Sequence, residues 1–157
     1  MSQAKIETMI LKSPVGPIQI QIEDDHIINT EYLIQIKHPS FEKHSTSIYQ
    51  QSINDYFSDP NYKFSFRLKL SGTDFQKKVW RALQKIPAGE VRTYGELALQ
   101  LNSSARAVGN ACRKNPIPLI IPCHRVVAKN HIGGFSGNTK GPMIGIKQYL
   151  LKHENSL

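Results

Sequence analysis

Tyr94-Gly95-Glu96-Leu97-Ala98-Leu99-Gln100-Leu101-Asn102-Ser103-Ser104-Ala105-Arg106-Ala107-Val108-Gly109-Asn110-Ala111-Cys112-Arg113-Lys114 holds two short helical patterns separated by a polar turn. The first pattern predicts a helix over about Tyr94 to Leu101. Asn102-Ser103-Ser104 then offers N-cap oxygens to a second helix, about Ala105 to Lys114, which stops ahead of Asn115-Pro116. On that second helix Ala105, Val108 and Cys112 share one face, while Arg106, Asn110 and Arg113 share another at i, i+4 and i+7. Upstream, Phe75, Val79, Leu83 and Ile86 form a further helical stripe, stopped by Pro87 and Gly89. Two short helices followed by one with a basic, polar outer stripe match a helix-turn-helix reader. An ordinary helical bundle with a solvated charged face fits the same periodicity.

Charge favours the reader. The 157-residue chain has 20 Lys+Arg against 12 Asp+Glu, a net +8. Residues 1–70 hold seven basic and eight acidic residues (7 − 8 = −1), and residues 71–157 hold thirteen and four (13 − 4 = +9). A surplus confined to one half is what a polyanion partner requires, because neutralised phosphates release condensed counterions. Basic lobes also serve other partners.

The first half carries no comparable chemistry. Ile18, Ile20 and Ile22 alternate as a strand after the turn-rich Ser13-Pro14-Val15-Gly16-Pro17, and Asp24-Asp25 closes a hairpin into the run Ile27 to Ile36. A helix from about Ser47 to Phe57 follows, and Phe64, Phe66, Leu68 and Leu70 alternate as a further strand. His26, His38 and His44 lack metal-ligand spacing and read as surface residues. Ser71-Gly72 marks the boundary between an α+β unit over 1–70 and a second unit over 71–157. A chain this long buries roughly two-thirds of its unfolded surface. With 39% hydrophobic and 20% charged residues, it is not a disordered sequence. Its apolar runs are too short for a bilayer, and Met1-Ser2-Gln3-Ala4-Lys5 lacks a secretory h-region, which points to the cytoplasm and away from a membrane. Two cysteines, Cys112 and Cys123, read as free thiols.

Beyond the basic helix, Pro116-Ile117-Pro118-Leu119-Ile120-Ile121-Pro122 runs into Cys123-His124-Arg125-Val126-Val127. Neighbouring side chains of an extended segment diverge, so a Cys beside a His is weak evidence by itself. Three prolines stiffen the approach, and a basic region favours thiolate over thiol. A Cys-His-acid system also needs a carboxylate to fix the imidazole. After Leu97 the sequence contains a single acidic residue, Glu154. The zinc-deaminase pattern fails, because no second cysteine stands three residues after Cys123. Lys129 to Gly145, with Gly133-Gly134 and Ser136-Gly137, lacks Walker spacing and reads as a binding loop. Pro142 opens a last helix to about His153, with Met143, Ile146 and Leu150 inward.

Ile121-Pro122-Cys123-His124-Arg125-Val126 resembles the active-site signature of the O6-alkylguanine-DNA alkyltransferases. Gly89 to Ala98 resembles that family's second helix with its tyrosine. Ala105-Arg106-Ala107-Val108-Gly109-Asn110-Ala111 resembles its recognition helix with the arginine finger, and Asn115-Pro116 its hinge. Ser13 to Ile20 resembles its first hairpin more weakly. The resemblance implies a ribonuclease-H-like α/β lobe over 1–70 and a winged helix-turn-helix lobe over 71–157 carrying both DNA binding and catalysis. It implies a monomer acting on double-stranded DNA with O6-alkylguanine, and O4-alkylthymine as a further substrate.

By position, the resemblance makes Cys123 the nucleophile, His124 its base through a water, Glu154 the group orienting the imidazole, and Asn115 the brace of this segment. Arg106 would replace a nucleotide flipped out from the minor groove, Tyr94 would promote the flip, and Thr93 and Asn110 would contact DNA. Arg106 as a plain phosphate contact and Tyr94 as a packing residue are the plainer alternatives. Carbonyls of Cys123 and Val126 would read the exocyclic amine, the Ser136 N–H would bond O6, and Gly133, Phe135 and Gly137 would complete the pocket. No cofactor is implied, and the thioether product makes the reaction single-turnover.

Phe135 stands where many relatives have Tyr, and the loop after Gly137 is longer than in vertebrate relatives. With no Cys in residues 1–111, the zinc site of some relatives is not expected, and Cys112 reads as a packing residue. Two rival readings stay open: a lesion binder without transfer, which would lack the nucleophilic Cys, and a winged-helix regulator methylated from phosphate, which would carry an additional Cys-rich domain.

Overall fold

A computed structural model describes residues 5–35, 47–135, 137 and 140–157; Ile36, His38, His44 and Ser136 lie outside these. The chain divides into two compact units, Met1–Leu70 and Ser71–Leu157, and the architecture is mixed α+β.

In the first unit β1 (Ile6–Leu11), β2 (Ile18–Glu23) and β3 (His26–Tyr32) form an antiparallel meander in that order. Ile18, Ile20 and Ile22 are buried and their neighbours are half-buried, the period-2 pattern of a one-sided sheet. Asp24 and Asp25 both take positive φ (49° and 62°), the backbone a two-residue hairpin demands. Helix α1 (Ile48–Ser58) starts where Ser47 Oγ accepts from the Gln50 N–H. The buried Gln50 side chain ties α1 to Lys12, accepting from its N–H and donating to its carbonyl, both at 2.9 Å.

Residues 64–70 differ from the predicted strand. Their side chains alternate half-buried and exposed, yet the backbone pairs with β3 only at a single parallel bridge, Ile27 to Leu68. Aromatic packing explains the departure. Phe64 lies 5.5 Å from Tyr56 and Phe66 lies 5.0 Å from Tyr49, ring to ring, so side chains from α1 anchor this segment without a ladder.

The second unit opens with α2 (Asp74–Gln84), started by a Thr73–Gln76 capping box. Val79, Trp80 and Leu83 point into the core, and the Trp80 indole N–H donates to the Ala111 carbonyl at 2.9 Å. After β4 (Arg92–Thr93) come α3 (Tyr94–Gln100) and α4 (Ala105–Arg113), the latter capped by Ser104. Asn102 belongs to the end of α3. At φ +52° it lets the Ser103 N–H reach the Ala98 carbonyl and its own N–H reach that of Leu99, a Schellman stop. On α4, Val108, Ala111 and Cys112 are buried, whereas Ala105 in the first turn is exposed, contrary to the face predicted for it. A two-residue β5 (Val126–Val127) pairs in parallel with β4 and so fastens the segment after Cys123-His124-Arg125 beside the start of α3. Helix α5 (Pro142–His153) ends the unit. Among the described residues no helix is long and apolar enough to cross a membrane.

Trp80→Phe removes the indole donor and leaves a gap between α2 and α4. It is expected to cost about 2 kcal/mol in urea unfolding. An unchanged midpoint would show that this bond does not hold the two helices together.

Candidate active site

Backbone geometry presents Cys123 and its neighbours. Pro122 (φ −81°, ψ 68°) makes an inverse γ-turn in which the Cys123 N–H donates to the Ile121 carbonyl at 2.8 Å. Cys123–Arg125 then forms one 3-10 turn. The extended reading of this stretch therefore fails, because proline's fixed φ and the Arg125 N–H bond to the Pro122 carbonyl curl the chain. Upstream, Asn115 clamps the approach: its Nδ2 donates to the Ile121 carbonyl at 2.8 Å and its Oδ1 accepts from the Ile117 N–H at 2.9 Å. Inside that clamp Leu119 is buried at φ +75°, a strained conformation for an L residue.

His124 is fully buried, and its Nε2 lies 2.9 Å from Glu154 Oε2. Glu154 is the cap of α5. Asn155 at φ +61° stops the helix as Asn102 stops α3, with the Ser156 N–H on the Leu151 carbonyl. Arg125 grips the same carboxylate with both arms, Nε to Oε1 and Nη2 to Oε2 at 2.9 Å each, and its Nη1 donates to the Ile86 carbonyl at 2.6 Å. Burial alone would push the Glu154 carboxyl up, but hydrogen bonds from His124 and Arg125 outweigh it and hold the group well below the usual carboxylate range. Burial also pushes His124 down, against the pull of Glu154, so the ring is neutral near pH 7. With Nε2–H assigned to Glu154, the basic lone pair sits on Nδ1, which is buried and has no partner among the described residues.

Cys123 is 6% exposed, and burial pushes its thiol up, opposed by a hydrogen bond from Asn115 and by the charge of Lys147. Burial thus works against the thiolate that the basic neighbourhood favours. Desolvation outweighs the regional charge here. Cys112, behind it on α4, is pushed up to about 12 by burial and by Cys123.

Tyr94 is half-buried at the start of α3, between two glycines. A Cβ on Gly109 would lie 3.9 Å from its ring, and one on Gly133 only 3.1 Å away. Thr93 caps α3 by accepting from the Glu96 N–H at 3.0 Å, which leaves its hydroxyl proton free to donate elsewhere. Arg106, Asn110 and Arg113 are exposed along α4. Phe135 and Val126 are buried, and Gly137 (φ +81°) approaches Arg113 so closely that a Cβ would meet Nε at 2.8 Å. Two participants escaped the sequence reading. Arg125 stood inside the quoted motif without a role. Lys147 lies on the inward stripe of α5 at i+4 from Met143, a register that would have shown it. Among the described residues no three His, Cys, Asp or Glu side chains converge as a metal site.

Acid should destabilise this arrangement. A carboxyl held below its ordinary 4.5 contributes stability above that pH and loses it as pH falls. His124, held below its ordinary 6.5, acts in the same sense from that pH downward. Glu154→Gln, which leaves three donors facing a neutral amide, is expected to cost about 3 kcal/mol at neutral pH. It should also flatten the acid branch in thermal melts below pH 4.5, the ordinary value from which the carboxyl's contribution is lost. An acid branch as steep as in the unaltered protein would assign it to other carboxylates.

Residues 74–156 match the family model described as 6-O-methylguanine DNA methyltransferase, DNA binding domain. A methylated-DNA–protein-cysteine methyltransferase of Methanosarcina acetivorans is 36% identical over 155 residues, covering 94% of this chain and 97% of the relative. The crystal structure of Mycobacterium tuberculosis O6-methylguanine methyltransferase superposes with a TM-score of 0.82 at 36% identity, covering 97% of this chain and 94% of that one. That bacterium's OGT in complex with DNA gives 0.79 at 36% identity, covering 95% and 93%. With the family model spanning more than half of the sequence and the relatives nearly all of it, this chain belongs to the 6-O-methylguanine DNA methyltransferase family.

Proposed function

We propose that this protein repairs DNA by moving the alkyl group from O6 of an alkylated guanine, and from O4 of an alkylated thymine, onto the sulfur of Cys123. The observation that carries this reading is the 3-10 turn joining a buried thiol to an imidazole tied at 2.9 Å to a buried carboxylate. His124 Nδ1 takes the thiol proton through a water, and Glu154 stabilises the resulting imidazolium. The sulfur lone pair forms the S–C bond as the C–O6 bond breaks and its electron pair passes into the purine. A proton returned to the base completes guanine. Sulfur is left as an uncharged thioether that has no leaving group to displace, so each molecule acts once and needs no cofactor.

The remaining assignments extend the same reading. Asn115 braces the turn that bears Cys123. Tyr94, wedged between Gly109 and Gly133, crowds the backbone of the flipped nucleotide, and Arg106 takes its place in the stack. Thr93 and Asn110 contact the duplex. The Val126 carbonyl and the residues Gly133, Phe135 and Gly137 line the base pocket. The sequence α3, turn, α4 with the β4–β5 pair supports a winged helix-turn-helix for Ser71–Leu157. The β1–β3 meander backed by α1 supports a ribonuclease-H-like first lobe. The protein acts as a monomer in the cytoplasm, where a reducing environment keeps its thiols free.

Mass spectrometry after mixing with O6-methylguanine duplex is expected to show one methyl group per chain, on Cys123, and none in Cys123→Ala. Multiple turnover, or an adduct on Cys112 alone, would overturn the proposal. Arg106→Ala should slow repair of duplex far more than transfer from free O6-benzylguanine; equal losses would remove Arg106 from the flipping step. Affinity for duplex should fall linearly with salt on logarithmic axes, and a flat profile would contradict the basic α4 face.

A further inference from the structure

Lys147 is fully buried on α5, between Ile146 and Leu150, where Leu or Met would pack without desolvating a charge. Among the described residues no carboxylate is paired with it, and the groups coupled to its charge are the sulfurs of Cys123 and Cys112. Its Nζ donates to the Val126 carbonyl at 2.7 Å and to the Gly134 carbonyl at 2.8 Å. Val126 follows the Cys-His-Arg turn directly, and Gly134 lies in the glycine-rich stretch, so one ammonium spans both walls of the proposed pocket. An ammonium has three donors, so one remains beyond these two carbonyls.

We infer that Lys147 is a positioning residue for alkyl transfer: its ammonium ties the Gly134 segment to the Cys123 turn and holds a positive charge in the core beside it. The inference rests on the proposed reaction at Cys123. The attacking sulfur must be a thiolate, which burial disfavours, and a buried cation offsets that cost where water cannot. Burial lowers Lys147 to about 8, which keeps it charged near neutral pH. The titratable groups facing this charge are Cys123 on the turn, Cys112 on α4 and His124. Tyr94 on α3 faces the two thiols, while Glu154 and Arg125 are engaged with each other.

The test follows adduct formation on Cys123 by mass spectrometry, with O6-methylguanine duplex and with free O6-benzylguanine, between about pH 6 and about pH 9. Lys147→Met is expected to react about tenfold slower or worse near pH 7, with its pH profile moved upward and its duplex affinity unchanged. Lys147→Gln retains a donor without the charge, so it should keep the upward-moved profile. Lys147→Arg retains the charge and should return the profile toward that of the unaltered chain. If either neutral variant reacts as fast as the unaltered chain with the same profile, the inference is overturned. If both lose their cooperative thermal transition, Lys147 is structural and the inference is equally overturned. Failure of the unaltered chain to form any Cys123 adduct would instead remove the proposed function itself.

Discussion

An ionised carboxylate in a protein core is costly unless hydrogen bonds replace its water, and the Glu154 side chain is 0% exposed. Three donors meet it, one from His124 and two from Arg125, each at 2.9 Å. Arg125 extends the arrangement to the Ile86 carbonyl beyond α2. One carboxylate thus joins the end of α5, the Cys-His-Arg turn and the loop after α2. If Glu154 moves, the imidazole loses its orientation and the half-buried guanidinium keeps only the Ile86 carbonyl among the described residues.

The backbone is shaped to deliver that carboxylate and its target. Asparagine in the left-handed conformation ends both α3 and α5, at Asn102 and Asn155, and in each case the last turn closes through a Schellman pair of hydrogen bonds. The first stop turns the chain into α4, which carries the exposed basic stripe. The second holds Glu154 at the cap. Leu119 and Pro122 bend the chain before Cys123, and the Asn115 side chain holds both ends of that bend.

Burial gives the sulfur a distinctive balance. A thiol raised by desolvation is a poor nucleophile toward casual electrophiles. In the proposed reaction its activation depends on groups already fixed around it: the Nδ1 lone pair of His124, the Asn115 amide and the Lys147 ammonium. Such preorganisation suits a group used once, because the barrier is lowered by oriented dipoles and charges without keeping the sulfur permanently anionic.

Local order determined much of what is seen here. The alternation Ile18, Ile20, Ile22, the Asp24-Asp25 hairpin, the capping residue Ser104 and the inward stripe of α5 are short-range patterns, read from neighbours a few residues apart. The Cys123-His124 pair was legible in the same way, and Glu154 because no other acidic residue follows Leu97. Tertiary structure decided the rest. Phe64 and Phe66 chose aromatic partners on α1 over a strand ladder, which no period-2 pattern encodes. Burial pushes the Cys123 thiol up against the pull of the regional charge, because desolvation depends on depth and depth is a property of the packed chain. Arg125 and Lys147 acquired partners 29 and 21 residues away. Distances of that kind along the chain close only when the helices and turns pack, and there the cost of burying a charge selects the groups that must meet it.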